Sequence, residues 1–377
     1  MTKRNLWIII GAVIVIAAIV IGIRLAQKPA PKEQVIKIGS VLSLTGSASV
    51  WGQKSKNGVE LAVKHLAEKG IKVDVIFEDA ASESKTAVSA LNKLLAQGIK
   101  YIVGDISSGN VLAMAPIAER NKVVLISPGA SNPDISKAGD FIFRTWQSDA
   151  LEARYDAEYA FKVLNWKDVC IVYIQNAYGE GLKEAFKKHF LGKIVLEESF
   201  SQGQSSFRDL IIKLKKVKID GIYLPGYPEE MGLFLKQLRE QGVLTPILST
   251  QAFDDPIVLK RAGSAAEGVI FSVPEPPDPS NPVVQRFRKD YKRFYGEEPG
   301  VTADAAYDAV MILVETIRKV GDDPEKVKNA LYSIDLNGAS GRIKFDENGD
   351  LIKNFVFKIV RNGQFVTLEK EANTYDD

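Results

Sequence analysis

Val35-Ile36-Lys37-Ile38-Gly39 opens the pattern that decides the fold. Residues 53–69 follow with helical spacing, and Val73-Asp74-Val75-Ile76-Phe77 repeats the first run. Residues 83–96 again have helical spacing, Lys100-Tyr101-Ile102-Val103 is apolar, residues 111–120 are amphipathic, and Val123-Val124-Leu125-Ile126 closes the series. Short β-branched runs alternating with amphipathic stretches indicate βαβ units on a parallel sheet.

The pattern restarts after a short extended segment at 141–146. Residues 151–164 read as a helix, 169–174 as a strand, 182–190 as a helix and 194–200 as extended chain. Phe207, Leu210, Ile211 and Leu214 fall at i, i+3, i+4 and i+7, which marks one buried helix face. A strand at 219–224, a helix at 229–241 and a strand at 247–249 complete a second α/β layer. Pro274-Glu275-Pro276-Pro277-Asp278-Pro279 is a loop, a domain linker or a crossing between lobes. Two helices are expected at 282–295 and 302–320, and then β structure with turns at Asn348-Gly349 and Asn362-Gly363.

The 377 residues are enough for two domains. A net charge of +2, with basic and acidic residues interspersed, gives no sign of a nucleic-acid partner. Cys170 is the only cysteine, which excludes an internal disulfide and a thiolate zinc cluster. Its setting, Val169-Cys170-Ile171-Val172-Tyr173, reads as core. His65 and His189 each lie in an amphipathic helix beside lysines and read as solvated faces. No metal, phosphate-loop, dinucleotide or nucleophile-elbow motif is present, so neither a cofactor nor an enzyme activity is expected.

Lys3 and Arg4 precede an uncharged stretch at 6–23, closed by Arg24 and Lys28. A spanning helix needs about 17–25 residues and a signal-peptide core about 7–15. No cysteine follows to make a lipoprotein, and Arg24 spoils the small-x-small cut after Ala26. Residues 1–27 are therefore expected to be a membrane anchor, or else a cleaved signal, and residues 28–34 a short linker.

Ligands of open parallel sheets bind beyond the carboxyl ends of the strands. There the chain carries Gly104-Asp105-Ile106-Ser107-Ser108-Gly109-Asn110 and Ser127-Pro128-Gly129-Ala130-Ser131-Asn132-Pro133. Free N–H groups at a helix start, serine hydroxyls and close glycine backbone suit a carboxylate. Ser108 or Asn110 as plain helix caps is the competing explanation. The second layer offers Tyr178-Gly179-Glu180-Gly181, Tyr227-Pro228-Glu229-Glu230 and Gln251-Ala252-Phe253-Asp254-Asp255 at its strand ends. The paired acids could serve a hydrolase, but adjacent acids at a helix start more often serve the helix dipole.

These residues carry a resemblance. Ile38-Gly39-Ser40 through Thr45-Gly46 with Trp51-Gly52, the 126–133 stretch, Tyr178-Gly179-Glu180-Gly181, Gly226-Tyr227-Pro228-Glu229 and Gly341-Arg342-Ile343-Lys344-Phe345-Asp346 occur in an order that resembles the branched-chain amino-acid-binding proteins of ABC importers, which are type I periplasmic binding proteins. The resemblance spans residues 35–368. It implies an α/β fold of two Rossmann-like lobes with parallel sheets joined by three crossings. Lobe 1 would be 35–148 plus 279–340, and lobe 2 would be 149–278 plus 341–377.

The resemblance further implies that Ser108, Gly129 and Ser131 hold a ligand's carboxylate and amino group. Tyr178 and Tyr227 would approach from the other lobe, and Trp51 would lie along the ligand. It departs from the family pattern at Gln251, where family members place an acid against the ligand's ammonium, and Asp254 or Asp255 would have to substitute. The implied function is an extracytoplasmic, membrane-tethered or secreted solute-binding protein that closes on an amino acid or related carboxylate and delivers it to an ABC permease. A sensor built on the same clamp, or a binder of an organic acid, amide or urea-like solute, is the alternative.

Overall fold

The computed structural model describes residues 35–368. The expected anchor at 1–27 and linker at 28–34 lie outside them. Among the described residues no helix is long and apolar enough to cross a membrane.

The first sheet has five parallel strands in the order β2-β1-β3-β4-β5: β1 (Ile36–Leu42), β2 (Val73–Asp79), β3 (Tyr101–Gly104), β4 (Val124–Ser127) and β5 (Ile142–Arg144). Helices cover both of its faces, so Ile38, Ile102, Val103, Leu125 and Ile126 are fully buried. This is why the strands read as apolar runs without alternation. On one face lie α1 (Ser49–Glu68) and α10 (Ala303–Val320), and on the other α2 (Ser84–Ala96) and α3 (Ser108–Arg120).

The second sheet has seven strands in the order β14-β13-β10-β9-β8-β6-β7. Parallel strands β6 (Asp168–Ile174), β7 (Lys193–Phe200), β8 (Gly221–Leu224), β9 (Ile247–Ser249) and β10 (Ile270–Pro274) are extended by the antiparallel strands β13 (Phe355–Arg361) and β14 (Gln364–Thr367). The Asn362-Gly363 turn joins the last two, with both residues at positive φ as a tight hairpin requires. This lobe also carries α4 (Asp149–Glu158), α5 (Ala177–His189), α6 (Arg208–Leu214), α7 (Pro228–Glu240) and α8 (Pro256–Ala262).

The chain crosses between the lobes three times. The first crossing leads from β5 into α4. The second follows β10 and leads into α9 (Pro282–Tyr295), which packs in the first lobe. Helix α9 is bounded as its sequence dictates: Asn281 caps it through the Val283 N–H, Pro282 takes the first turn and Gly296 ends it at φ 75°.

The third crossing comes later than expected. Helix α11 (Pro324–Leu331) leads to a hairpin of β11 (Asp335–Gly338) and β12 (Gly341–Lys344). Ile343, Phe345 and Leu351 still pack in the first-lobe core. Pairing with the second sheet begins only at Phe355, so residues 341–352 side with the first lobe.

Cys170 is buried in the second-lobe core, and burial pushes its thiol up to about 12. His65 corrects the expectation of a solvated face. It is buried between Tyr307 Oη (2.9 Å from Nδ1) and Asp290 (3.1 Å from Nε2), on helices far along the chain.

Candidate functional site

Seven of the eight residues singled out from the sequence line one cavity between the lobes. The first lobe supplies Trp51, Ser108, Gly129 and Ser131, and the second supplies Tyr178, Tyr227 and Gln251. About 440 Å³ of empty space lies between these residues, open solvent at the mouth included. Its floor is built from the carboxyl ends of parallel strands, where side chains from successive βα units must converge.

The first-lobe half is organised by Asp105. Its carboxylate accepts from Ser43 N–H (2.9 Å), Ser43 Oγ (2.7 Å), Ile106 N–H (2.6 Å) and Asn110 Nδ2 (2.6 Å). Its carbonyl accepts from Ser127 Oγ at 2.6 Å. The ends of β1, β3 and β4 and the start of α3 are thereby tied to one buried group, whose carboxyl burial pushes upward in pKa. Gly104 permits this: a Cβ there would stand 1.7 Å from the Val41 carbonyl oxygen.

Ser108 and Asn110 are not the simple caps that the competing explanation allowed. The cap position of α3 is Ser107, and no side chain caps that helix. Ser108 Oγ accepts the Ser131 N–H (3.3 Å) and the Asn132 N–H (3.2 Å), which locks the α3 start to the 127–133 loop. With its lone pairs so engaged, the Ser108 hydroxyl proton is left to donate.

The second-lobe half is aromatic. Tyr178 and Tyr227 stack with centroids 5.7 Å apart, and Trp51 meets Tyr227 edge-on at 5.0 Å. Tyr178 Oη pairs with Thr250 Oγ1 at 2.8 Å. Burial holds both tyrosines protonated, pushing Tyr178 well up and Tyr227 up to about 12. Trp51 Nε1 is buried with no hydrogen-bond partner among the described residues, an unsatisfied donor in a residue of the cavity wall.

Behind the wall, α4 presents Asp149, Glu152 and Asp156 on one face, all fully buried. Desolvation raises all three, Asp149 to about 7. Glu152 accepts the Gln251 N–H (2.6 Å), Gln251 Nε2 (2.8 Å) and Ser272 Oγ (2.9 Å). Gln251 Oε1 in turn accepts Gln147 Nε2 at 2.8 Å.

Asp254 is not brought to the cavity. It pairs with Lys358 Nζ at 2.6 Å and lines a larger outer cleft with Lys54 and Arg288. Its neighbour Asp255 caps α8 through the Ile257 N–H. Of the other acid pair, Glu229 meets Arg261 at 2.6 Å and Glu230 accepts the Gly203 N–H at 2.7 Å. Neither pair faces the cavity wall.

Ile106, Trp146, Ala252, Val301 and Thr302 complete the lining and were not singled out from the sequence. Trp146 follows β5 as an aromatic at a strand end, a signal the sequence did contain. Thr302 carried none: it sits at φ 75° before α10, held by Ser55 Oγ (2.7 Å) and the Trp51 carbonyl (3.2 Å).

The lobes touch across the cleft. Asn132 Nδ2 donates to the Ala177 carbonyl and Gln202 Nε2 to Ser47 Oγ. Ser108, Ser131, Tyr178, Tyr227 and Gln251 are all buried by this approach, which gives the molecule a closed form.

A family model described as periplasmic binding protein matches residues 35–364. The leucine-, isoleucine-, valine-, threonine- and alanine-binding protein of Pseudomonas aeruginosa is 30% identical over 335 residues, covering 86% of this chain and 89% of that protein. Among solved structures, the leucine binding protein LivK of Thermotoga maritima has TM-score 0.82 and 33% identity over 89% of this chain and 98% of its own. The branched-chain amino acid transporter substrate binding protein LivJ of Streptococcus pneumoniae, solved with isoleucine, has TM-score 0.81 and 26% identity, over 89% of this chain and 99% of its own.

Proposed function

The chain belongs to the periplasmic binding protein family, and from that premise we propose that it is the extracytoplasmic solute-binding component of an ABC importer. It binds a small carboxylate, an amino acid or a related acid, between two closing lobes and presents the closed form to a membrane permease. The observation that carries this reading is a closed interlobe cavity with unmatched donors. The Ser108 hydroxyl is fixed by two backbone amides, and the buried Trp51 Nε1 has no acceptor among the described residues. Buried donors without a partner call for an acceptor-rich guest.

Closure itself follows from differential affinity, because a solute that touches both lobes binds the shut form better than the open one. The apolar stretch at 6–23 serves in this reading as the tether that keeps the clamp beside its permease, in support of which Arg24 leaves no good cleavage site.

A thermal-shift screen of the purified chain against amino acids, organic acids and amides tests the proposal, since a ligand of the folded state raises Tm. Small carboxylates should raise Tm in the wild type and lose that effect in Ser108→Ala. A screen in which no carboxylate raises Tm, or in which Ser108→Ala and Ser131→Ala respond as wild type does, overturns it.

A further inference from the structure

The cavity wall contains no ionisable acid or base other than its two protonated tyrosines. Of the carboxylates close to it, Asp254 and Glu152 are engaged by protein groups and Asp149 lies outside the wall. Asp254 is ion-paired with Lys358. Glu152 stands behind Gln251, with both oxygens already accepting hydrogen bonds. Asp149, at the start of α4, is not part of the wall: its N–H donates to the Ser131 carbonyl at 2.7 Å, while both its carboxyl oxygens are buried without a hydrogen-bond partner among the described residues and burial raises it to about 7.

Beside the two tyrosine hydroxyls, Gln251 is what the second lobe offers to the polar end of a guest, and Glu152 dictates which end of its amide faces outward. A carboxylate accepts only, so Nε2 turns toward Glu152 and Oε1 turns away, where Gln147 reaches it. That oxygen has one lone pair left for a neutral donor. If Glu152 holds a proton, the amide reverses and presents Nε2, which suits a cation even less. Either way an ammonium enclosed here would lose its water and meet no counter-charge in the wall, an expensive burial. The rest of the wall, with Trp51, Trp146 and the two tyrosines, suits an apolar or aromatic body.

We propose that this site selects small monocarboxylic acids that carry an apolar or aromatic body and lack an ammonium group, with Gln251 and Glu152 together setting that preference. The proposal rests on the solute-binding reading above and names its substrate class.

The test is calorimetric titration of the purified full chain with matched pairs: leucine against 4-methylpentanoate and 2-hydroxy-4-methylpentanoate, and phenylalanine against 3-phenylpropanoate, with glycine betaine as a cation whose charge an aromatic wall alone can solvate. The acids without nitrogen should bind about 100-fold or more tighter than their amino partners, the ratio expected for leaving a buried charge unpaired. Equal or tighter binding of leucine, phenylalanine or betaine overturns the inference while leaving the solute-binding reading intact. Failure of every carboxylate to bind overturns both.

The double exchange Glu152→Gln with Gln251→Glu keeps the carboxylate–amide hydrogen bond and moves the charge to the cavity wall. It should reverse the preference toward the amino acid of each pair. An exchanged protein that folds and keeps the wild-type order of preference shows that these two residues do not set it.

Discussion

Arg144, fully buried, forms a two-point ion pair with the largely buried Asp350, with Arg144 Nε 2.6 Å from Oδ1 and Nη2 2.8 Å from Oδ2. The same guanidinium donates to the Asn132 carbonyl (3.0 Å) and to Ser136 Oγ (2.7 Å). A strand-end arginine thus clamps the loop that carries Gly129 and Ser131, and a residue more than 200 positions later completes the clamp. Asp350→Asn leaves the guanidinium buried without its counter-charge, which costs about 3–5 kcal/mol. Urea unfolding of the variant should show that loss, with weaker solute binding as the loop loosens. A stability change within about 0.5 kcal/mol, the usual range for surface substitutions, would contradict the clamp.

Ser108 should matter more than a single donor to the solute suggests. Its Oγ also accepts the Ser131 and Asn132 amides, so Ser108→Ala removes a ligand contact and strands two N–H groups. The loss of affinity should be about 1–3 kcal/mol, with a measurable drop in Tm of the unliganded protein. Ser131→Ala removes a hydroxyl without stranding those amides, so its affinity loss should come with a smaller drop in Tm. Equal Tm values for the two variants would contradict this division of roles.

Much of the site was legible because parallel strands with both faces covered are unbroken apolar runs, and the loops at their carboxyl ends are where the alternation stops. Ser108, Ser131, Tyr178 and Tyr227 could be picked out on that ground. What was not legible depends on partners brought from far away in sequence. Asp254 looked available, but strand β13 delivers Lys358 to it across 104 residues. His65 looked solvated, but Tyr307 lies 242 residues on. The boundary at 341 was misplaced because the β12 strand signal is local, while the choice of lobe is made by Ile343 and Phe345 packing under the first sheet.

Acidity should stabilise this protein over the neutral range. Burial raises Asp149 to about 7, and raises Glu152 and Asp156 on the same helix face; Arg144 and the Ser131 hydroxyl pull Asp149 only partly back. Tyr178 and Tyr223 face these acids and stay protonated. The folded chain thus keeps a proton at Asp149 that the unfolded chain releases near its ordinary carboxyl value of about 4. Stability from this group is fully present below that value and is lost as pH rises through about 7. Unfolding free energy measured from pH 5 to 8 should fall, and Asp149→Asn should flatten the fall without abolishing it, because burial raises Asp308 to about 7 as well. A wild-type stability that rises over this window would refute the assignment.

Room in the cavity depends on Gly129. A Cβ there would stand 2.9 Å from Ile106 Cγ2 and 3.0 Å from Thr302 Cγ2, both in the cavity wall. Thr302 has little freedom to retreat, since Ser55 and the Trp51 carbonyl hold it in a left-handed conformation. Ile106 follows Asp105, the knot of the first-lobe half, and its own N–H is bound there. The added methyl must therefore push the loop toward the guest. Overpacking of this kind costs about 1–3 kcal/mol, about a 5- to 150-fold loss of affinity. Unlike Ser108→Ala, Gly129→Ala keeps every donor, so the loss should grow with the size of the acid's body: small for acetate and larger for 3-phenylpropanoate. Calorimetric titration across that series checks it, and a loss independent of ligand size would show that the glycine is needed for something other than space.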